Sequence, residues 1–360
     1  MNKNQFVSVL NAKEDVLSPF LVKYIATSEG KDGKSYLNVI LADNSGEIEA
    51  RKWQGAELAA QKIAAGDVVI VNGKVNLFQG RLQLIISEMS KLDESQFKRE
   101  DYIQKSGAAP EKMFSELLDI VKSLEEVYIR DILIAILSDF EIARRLKIWQ
   151  AGKSIHHAYQ SGLLEHILSC TKLAVTLSPH YKVNRSYVVA GCILHDLCKI
   201  YELSEGQVVE YTDEGKLVGH LVKGLEIVDL YAAKIQNFPN SVKIHIKHIL
   251  LSHHGEYEYG SPKTPSTSEA FLVHLIDMMD SKMSSLEQVK KSDSSVTHWS
   301  GFVKHLDRIV FKSDLPSFTK YLVDDSPIVK PPVSNSPSIK DSSTKNTTLG
   351  SLLKDFKVSE

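Results

Sequence analysis

The stretch VVAGCILHDLCKI, residues 188–200, carries three polar side chains inside an apolar run: His195, Asp196 and Lys199. Burying an imidazole beside a carboxylate costs on the order of several kcal/mol unless both groups find partners. Two interpretations are open at this point. The histidine and the aspartate are either a structural hydrogen-bonded pair or part of a metal site.

Further histidines and a second aspartate follow a similar pattern along the chain. Each lies in or at the end of a predicted helix, and separate helices can converge on one interior point. A single histidine on an apolar helix face is more often a core residue than a ligand. Five helical segments that each offer His or Asp favour a shared metal site instead. In chain order the series is His166, His195 with Asp196, His220, His253 with His254, and Asp277.

The elements that must position this series are helices. From about residue 97 onward, apolar residues recur at helical spacing. We predict a helical connector over residues 96–150 and an all-α domain over residues 151–315. Within that domain, helices are expected over residues 161–178, 186–199, 217–236, 241–254 and 267–290.

The first quarter of the chain has a different pattern. Residues 16–90 alternate β-rich segments with turn signals such as those at residues 43–46 and 72–73. A short helical stretch, GAELAAQKIAA, separates the third and fourth predicted strands, which is typical of an OB-fold. We therefore predict an OB-fold β-barrel domain over residues 1–95, with another small barrel or a sandwich as the alternative.

The region after residue 315 is rich in Ser, Pro, Thr and Lys and poor in aromatic residues. Such a composition cannot bury enough surface to fold alone, so residues 316–360 are predicted to be a disordered tail. A short apolar stripe near its end could bind an unknown partner as a helix, although a solvated tail is the simpler alternative. The stripe consists of Leu349, Leu352, Leu353 and Phe356.

The composition is that of a globular protein, with 43% hydrophobic residues, 24% charged residues and a formal net charge of −2. A polyanion would therefore have to be bound by a local patch or by metal. The three cysteines lack disulfide or zinc spacing and indicate reduced thiols. The sequence begins without a signal-peptide pattern and has no apolar run long enough for a membrane span. We expect a cytoplasmic location and no membrane contact.

Four segments, taken together with the OB-like domain, resemble the YhaM family of 3′→5′ exoribonucleases, which are two-metal HD-domain phosphohydrolases. The resemblance covers roughly residues 10–315. The segments are HHAYQSGLLEH (156–166), ILHDLCKIYEL (193–203), YTDEGKLVGH (211–220) and LSHHGEYEYGSPKTPSTSEAFLVHLIDMMDSKM (251–283).

This resemblance implies two divalent ions with Asp196 as their bridging ligand. The first ion would be held by His166, His195, Asp196 and Asp277, and the second by Asp196, His220, His253 and His254. The mixed nitrogen and oxygen ligands favour Mn²⁺, with Fe²⁺ or Co²⁺ as alternatives, over a structural Zn²⁺. Asp196 and Lys199 would be the catalytic residues, with Lys199 stabilising charge on the phosphoryl oxygens. The resemblance also implies that one of His156 and His157 contacts substrate phosphate, for which we favour His157, with a helix-capping or surface role as the alternative.

One position departs from the family pattern, because Cys198 stands where the family usually has glycine. If that position required an unusual backbone angle, cysteine would add strain of about 1 kcal/mol. We expect activity to survive this change.

The predicted barrel offers candidates for binding a single strand, since OB-folds stack bases on aromatic rings beside positive charge. Tyr36 and Trp53 could equally be core residues. The candidates are Tyr36, Trp53, Phe78, Arg51, Lys52 and Arg81.

The function expected from the resemblance is hydrolysis of single-stranded RNA, and of single-stranded DNA as a second substrate, to nucleoside monophosphates. The sequence does not decide whether the protein forms a homo-oligomer. Two alternatives remain: an HD phosphohydrolase acting on small or cyclic nucleotides, and a nucleic-acid-binding regulatory protein with a vestigial metal site.

Overall fold

The N-terminal domain is a five-stranded barrel. A computed structural model describes residues 3–30, 33–103, 106–152, 157–206, 209–293, 295 and 297–315. The strands are β1 (Asp15–Glu29), β2 (Ser35–Asp43), β3 (Gly46–Lys52), β4 (Val68–Phe78) and β5 (Arg81–Lys91), with helix α1 (Ala56–Lys62) between β3 and β4. They close in the order β1-β2-β3-β5-β4. The predicted OB-fold is confirmed.

The barrel closes around side chains that alternate along its strands. Phe20, Leu41 and Leu84 are fully buried in its core. In β4 the register shifts between Asn72 and Gly73, where a Cβ on Gly73 would lie 2.4 Å from the Ile85 carbonyl oxygen. Glycine is therefore needed at this bulge, because any side chain would collide with the backbone of β5.

The rest of the described chain is mainly helical, as predicted. Side-chain caps begin several helices: Asp139 accepts from the backbone N–H groups of Glu141 and Ile142, and Thr267 accepts from that of Ala270. The helices are α2 (Pro110–Lys122), α3 (Val127–Leu137), α4 (Phe140–Ile148), α5 (Gly162–Tyr181), α6 (Arg185–Leu194), α7 (Lys199–Glu202), α8 (Asp213–Leu217), α9 (Gly219–Ala232), α10 (Asn240–Ser252) and α11 (Ser268–Ser292).

The helix predicted over residues 186–199 is wrong at its C-terminal end. Helix α6 ends at Leu194, residues 195–198 form turns, and α7 begins at Lys199. The apolar periodicity continues through the turn because Leu197 and Ile200 are both buried in the helical core, and this continuation hides the break.

A short hairpin, residues 299–311, follows α11 and is an exception to the all-α prediction, as is the isolated β-bridge between Leu203 and Tyr211. Bridges pair Trp299 with Phe311 and Val303 with Arg308, and the Ser300 N–H donates to the Val310 carbonyl at 2.8 Å. We refer to it as the C-terminal hairpin.

Among helices in the described ranges, none combines the length and apolar character needed to cross a bilayer. The predicted tail, residues 316–360, lies outside the described residues, as does His156.

Candidate metal centre

The predicted ligands come from five parts of the helical domain. His166 lies in α5, His195 and Asp196 directly follow α6, and His220 is the second residue of α9. His253 and His254 directly follow α10, and Asp277 lies in the middle of α11.

Close packing at Gly191 brings three of these helices together. A Cβ at this position of α6 would lie 2.6 Å from methyl groups of both Ile249 in α10 and Val273 in α11. Since Gly191 is one helical turn before His195, the close approach aligns the ends of α6 and α10 with the middle of α11.

The first group of donors consists of His166, His195, Asp196 and Asp277, whose nearest ligand atoms all lie within 4.8 Å of one another. The Nε2 atoms of His166 and His195 are 3.1 Å apart. His166 Nε2 is also 3.4 Å from Asp277 Oδ1 and 3.6 Å from Asp196 Oδ2. One cation could be coordinated by all four residues.

The second group consists of His220, His253 and His254. The Nε2 atoms of His220 and His253 lie 3.6 Å and 3.9 Å from Asp196 Oδ1. Asp196 therefore turns one carboxylate oxygen toward each group of donors, which is the arrangement a bridging ligand requires.

Three imidazole nitrogens test whether these residues fit a metal. His220 Nε2, His253 Nε2 and His254 Nδ1 are buried and have no hydrogen-bond partner within the described part of the chain. A buried polar atom without a partner costs about 1–3 kcal/mol. All three nitrogens belong to the second group, so coordination of a divalent cation by their lone pairs would satisfy them.

The opposite ring nitrogens are held by acceptors. His195 Nδ1 donates to the Cys192 carbonyl at 3.0 Å, and His253 Nδ1 donates to the Leu250 carbonyl at 2.8 Å. A carbonyl can only accept, so each Nδ1 carries the proton and each Nε2 keeps its lone pair for the site. This is how histidines that bind metals are usually oriented.

Two carboxylates orient two more of the ligand histidines, and sequence reasoning missed both. His220 Nδ1 donates to Glu202 Oε1 at 3.0 Å, and His166 Nδ1 donates to Asp280 Oδ2 at 2.7 Å. Asp280 had a usable signal, because it lies three residues after Asp277 and so on the same face of α11. Glu202 had none, since the turn before α7 sets its position.

The charges of the site are those that cation binding requires. Burial would raise the pKa of Asp196, but Lys199 and the imidazoles of His195 and His220 hold it well below its usual range. Lys199 Nζ donates to Asp196 Oδ2 at 2.7 Å. Burial and neighbouring imidazoles lower the pKa values of His253 and His254. The bridge is an anion and these two histidines are neutral.

The structure corrects the role predicted for His157. Its exposed fraction is 7%, its Nδ1 pairs with the Tyr159 hydroxyl at 2.9 Å, and its Nε2 pairs with Asp280 Oδ2 at 3.1 Å. Both ring nitrogens are already used, so His157 supports Asp280 and, through it, His166. In this orientation it offers no ring nitrogen to a substrate phosphate.

Cys198 is accommodated without backbone strain. Its backbone angles are φ −76° and ψ 1°, so the position does not need the positive φ that favours glycine. Burial raises the pKa of its thiol to about 12. The cysteine therefore packs as a small neutral side chain, and the conditional expectation of strain does not apply.

The predicted strand-binding residues divide into two places on the barrel. The Tyr36 and Trp53 rings lie 4.5 Å apart at an interplanar angle of 31°, and the Arg51 guanidinium is 5.5 Å from the Tyr36 centroid. Trp53 is 49% exposed. Phe78 and Arg81 lie together at the β4–β5 turn.

Lys52 is a correction to the predicted set. It is 7% exposed, and its Nζ donates to the Ser87 carbonyl at 2.6 Å. A buried ammonium that is already bonded to the barrel backbone is not placed to contact a strand.

A cleft of about 570 Å³ opens beside the donors. The metal centre contributes His253, His254 and Asp277 to its lining, and the C-terminal hairpin contributes residues 305–308. This volume is typical of sites that bind small molecules.

Comparison with known proteins identifies both domains. The HD-domain family matches residues 163–282, and a family described as an OB-fold nucleic acid binding domain matches residues 22–92. A 3'-5' exoribonuclease YhaM from Oceanobacillus iheyensis is 34% identical over 268 residues, which are 74% of this chain and 84% of the relative. One from Listeria monocytogenes serotype 4b is 32% identical over 273 residues, 75% of this chain and 86% of the relative.

Among solved structures, a domain of replication protein A from Methanococcus maripaludis matches with 23% identity and a TM-score of 0.22, covering 25% of this chain and 97% of that one. The fold and the matched families define an HD domain preceded by an OB-fold. With this identity and coverage, the chain belongs to the YhaM family of 3′–5′ exoribonucleases. The resemblance inferred from the sequence is confirmed.

Proposed function

We propose that this protein is a metal-dependent 3′→5′ exoribonuclease that hydrolyses single-stranded RNA to nucleoside monophosphates, with single-stranded DNA as a second substrate. The observation that carries the proposal is the position of Asp196, whose two oxygens face two separate groups of donors. The relatives named 3'-5' exoribonuclease support the reaction and its polarity. The three cysteines are buried and form no disulfide, which fits a cytoplasmic location.

We assign one ion to His166, His195, Asp196 and Asp277, and a second to Asp196, His220, His253 and His254, with Mn²⁺ as the expected metal and Fe²⁺ or Co²⁺ as alternatives. When bound, two divalent ions would supply Lewis-acid chemistry and would lower the pKa of water enough for it to lose a proton near neutral pH and act as the nucleophile. Lys199 remains an ammonium, because Asp196 outweighs the effect of burial on its pKa. It holds the Asp196 carboxylate in place and adds positive charge beside the phosphoryl oxygens.

The decisive experiment uses one RNA labelled at either end. With Mn²⁺, RNA labelled at its 5′ end should shorten progressively, whereas RNA labelled at its 3′ end should release labelled mononucleotide at once. EDTA should stop both reactions. Three results would contradict the proposal. They are internal cleavage, release of nucleotides from the 5′ end, and activity confined to mononucleotides or cyclic nucleotides. Strand binding without any metal-dependent turnover would favour the regulatory alternative.

Glu202→Ala should weaken metal binding by about 10- to 100-fold, because His220 loses the acceptor that fixes its orientation. Activity at limiting Mn²⁺ should fall and should recover at excess Mn²⁺. Glu202→Gln is the matched control, since its amide oxygen can still accept from His220 Nδ1. Isothermal titration with Mn²⁺ gives the affinities. Equal affinities for Glu202→Ala and the unmodified protein would show that His220 does not depend on Glu202.

Deletion of residues 325–360 should leave kcat/KM on RNA within about twofold, because none of the assigned metal ligands or strand-binding candidates lies in that segment. The measurement compares full-length and truncated proteins on the same oligonucleotide. A loss of activity of about tenfold or more would show that the tail contributes to RNA hydrolysis. If activity is retained, a pull-down that compares the full-length and truncated proteins tests whether the apolar stripe binds a partner.

A further inference from the structure

The C-terminal hairpin is attached to both domains. Lys312 Nζ donates to Asp293 Oδ1 at 2.9 Å and to the Ser295 carbonyl at 2.7 Å, which fixes the base of the hairpin to the end of α11. Arg81 of the barrel lies 3.8 Å from Asp293 Oδ2 and forms a β-bridge with Ser295. The Gly301 N–H also donates to Asp293 Oδ2, at 3.1 Å. The hairpin therefore spans the distance between the barrel and the cleft.

The tip of the hairpin carries positive charge into the cleft. Arg308 and His305 line it together with Lys282 of α11, beside His253 and Asp277 of the metal centre. Arg308 and Lys282 are exposed, and within the described residues neither forms an ion pair with a carboxylate. Asp307 is the acidic residue of the tip.

A second cleft, of about 720 Å³, is lined mainly by carboxylates, whereas the first has two cations and two carboxylates in its lining. The lining of the second cleft includes Glu47, Glu165, Asp280 and Glu287, with Lys291 as a counter-charge. Clustered carboxylates repel a phosphate chain. Of the two clefts, the one at the hairpin tip suits a polyanionic strand.

Exposed aromatic rings lie where the hairpin meets the barrel. Trp299 and Phe302 are 50% and 62% exposed, and Phe78 is 55% exposed. Phe78 pairs with Arg81 across the β4–β5 turn, and Arg81 Nη2 occupies the space beside Gly301, where a Cβ would lie 1.3 Å from it. Such rings can stack bases of any identity.

We propose, resting on the function proposed above, that the C-terminal hairpin guides the terminal nucleotides of the strand from the barrel into the cleft, where Arg308 and Lys282 bind a backbone phosphate next to the scissile one. The aromatic rings stack the preceding bases, and the two cations set the register of the strand relative to the metal centre. These residues bind and position the substrate.

The test measures KM and kcat for hydrolysis of a single-stranded RNA oligonucleotide, and the salt dependence of its binding. The proteins are the full-length Mn²⁺ enzyme and its Arg308→Ala and Lys282→Ala variants. Loss of one charge-assisted phosphate contact should raise KM about tenfold, with a much smaller fall in kcat. The slope of log affinity against log salt should decrease by about 0.7, the value for one phosphate contact on a single strand. Lys304→Ala is the matched control, because Lys304 is an exposed hairpin cation that does not line the cleft.

Two variants guard against loss of structure, since Arg308 Nε also donates to the Leu306 carbonyl at 2.8 Å whereas Lys282 lies on a helix. Unchanged KM and salt slope in both variants would overturn the proposal, as would an equal effect of Lys304→Ala. Hydrolysis of bis(p-nitrophenyl) phosphate by the unmodified enzyme is measured in parallel. If that reaction and RNA hydrolysis are both absent, the proposed function fails, which is a different result from unaffected variants of an active enzyme.

Discussion

Asp196→Ala is expected to reduce RNA hydrolysis by at least about a thousandfold, because it removes the one carboxylate shared by both groups of donors and with it several kcal/mol of charge stabilisation. The variant should bind fewer than two Mn²⁺ ions per chain. The measurements are initial rates on end-labelled RNA and metal content after dialysis.

Two controls separate a lost bridge from a lost fold. Asp196→Asn keeps an oxygen for the Lys199 ammonium and should remain folded while losing most activity. Asp119→Ala removes an exposed carboxylate of α2 and should behave like the unmodified protein. Full activity of a folded Asp196→Ala protein at ordinary Mn²⁺ concentration would rule out the assigned centre.

Trp53→Ala is expected to weaken binding of a long single strand by about tenfold, since removing a stacking ring costs about 1–3 kcal/mol per base. Its ring is half exposed and lies against Tyr36, so the barrel should tolerate the change. Fluorescence anisotropy of a labelled oligonucleotide, with EDTA present, measures binding without turnover.

Trp53→Phe should retain most of the affinity because it keeps an aromatic face. Phe140→Ala removes a more exposed ring, 76% exposed, from the start of α4 and serves as the control for loss of surface aromatic area. Unchanged affinity in a folded Trp53→Ala protein would mean that the strand binds elsewhere.

Much of the architecture could be predicted because it depends on local patterns. Alternating residues and turn signals indicated the barrel, and apolar spacing indicated the helices. The donor series could be proposed because each member interrupts an apolar segment. These patterns do not show where a side chain points after a turn that separates two helices. The break at residues 195–198 was missed for this reason, and it sets the positions of both Asp196 and Glu202.

The hydrogen-bond partners of polar side chains were the second feature that the sequence did not reveal. His157 and Lys52 have the residue types that contact phosphates, yet the structure gives one to Asp280 and the other to the Ser87 carbonyl. Both partners are distant in sequence and lie on other elements. No spacing rule connects them, so only the packed structure shows that these polar groups are already satisfied.

The attachment of the C-terminal hairpin to the barrel has a consequence for biosynthesis. Arg81 emerges from the ribosome long before its partners Asp293 and Ser295, and contacts between segments so far apart in sequence form late. The barrel can fold early as a unit, and every assigned metal ligand also precedes the hairpin. A nascent chain could therefore assemble the proposed metal centre before it has the hairpin that we propose delivers a strand to it. On the functions proposed above, efficient degradation of RNA would begin only after residues 293–312 have left the exit tunnel.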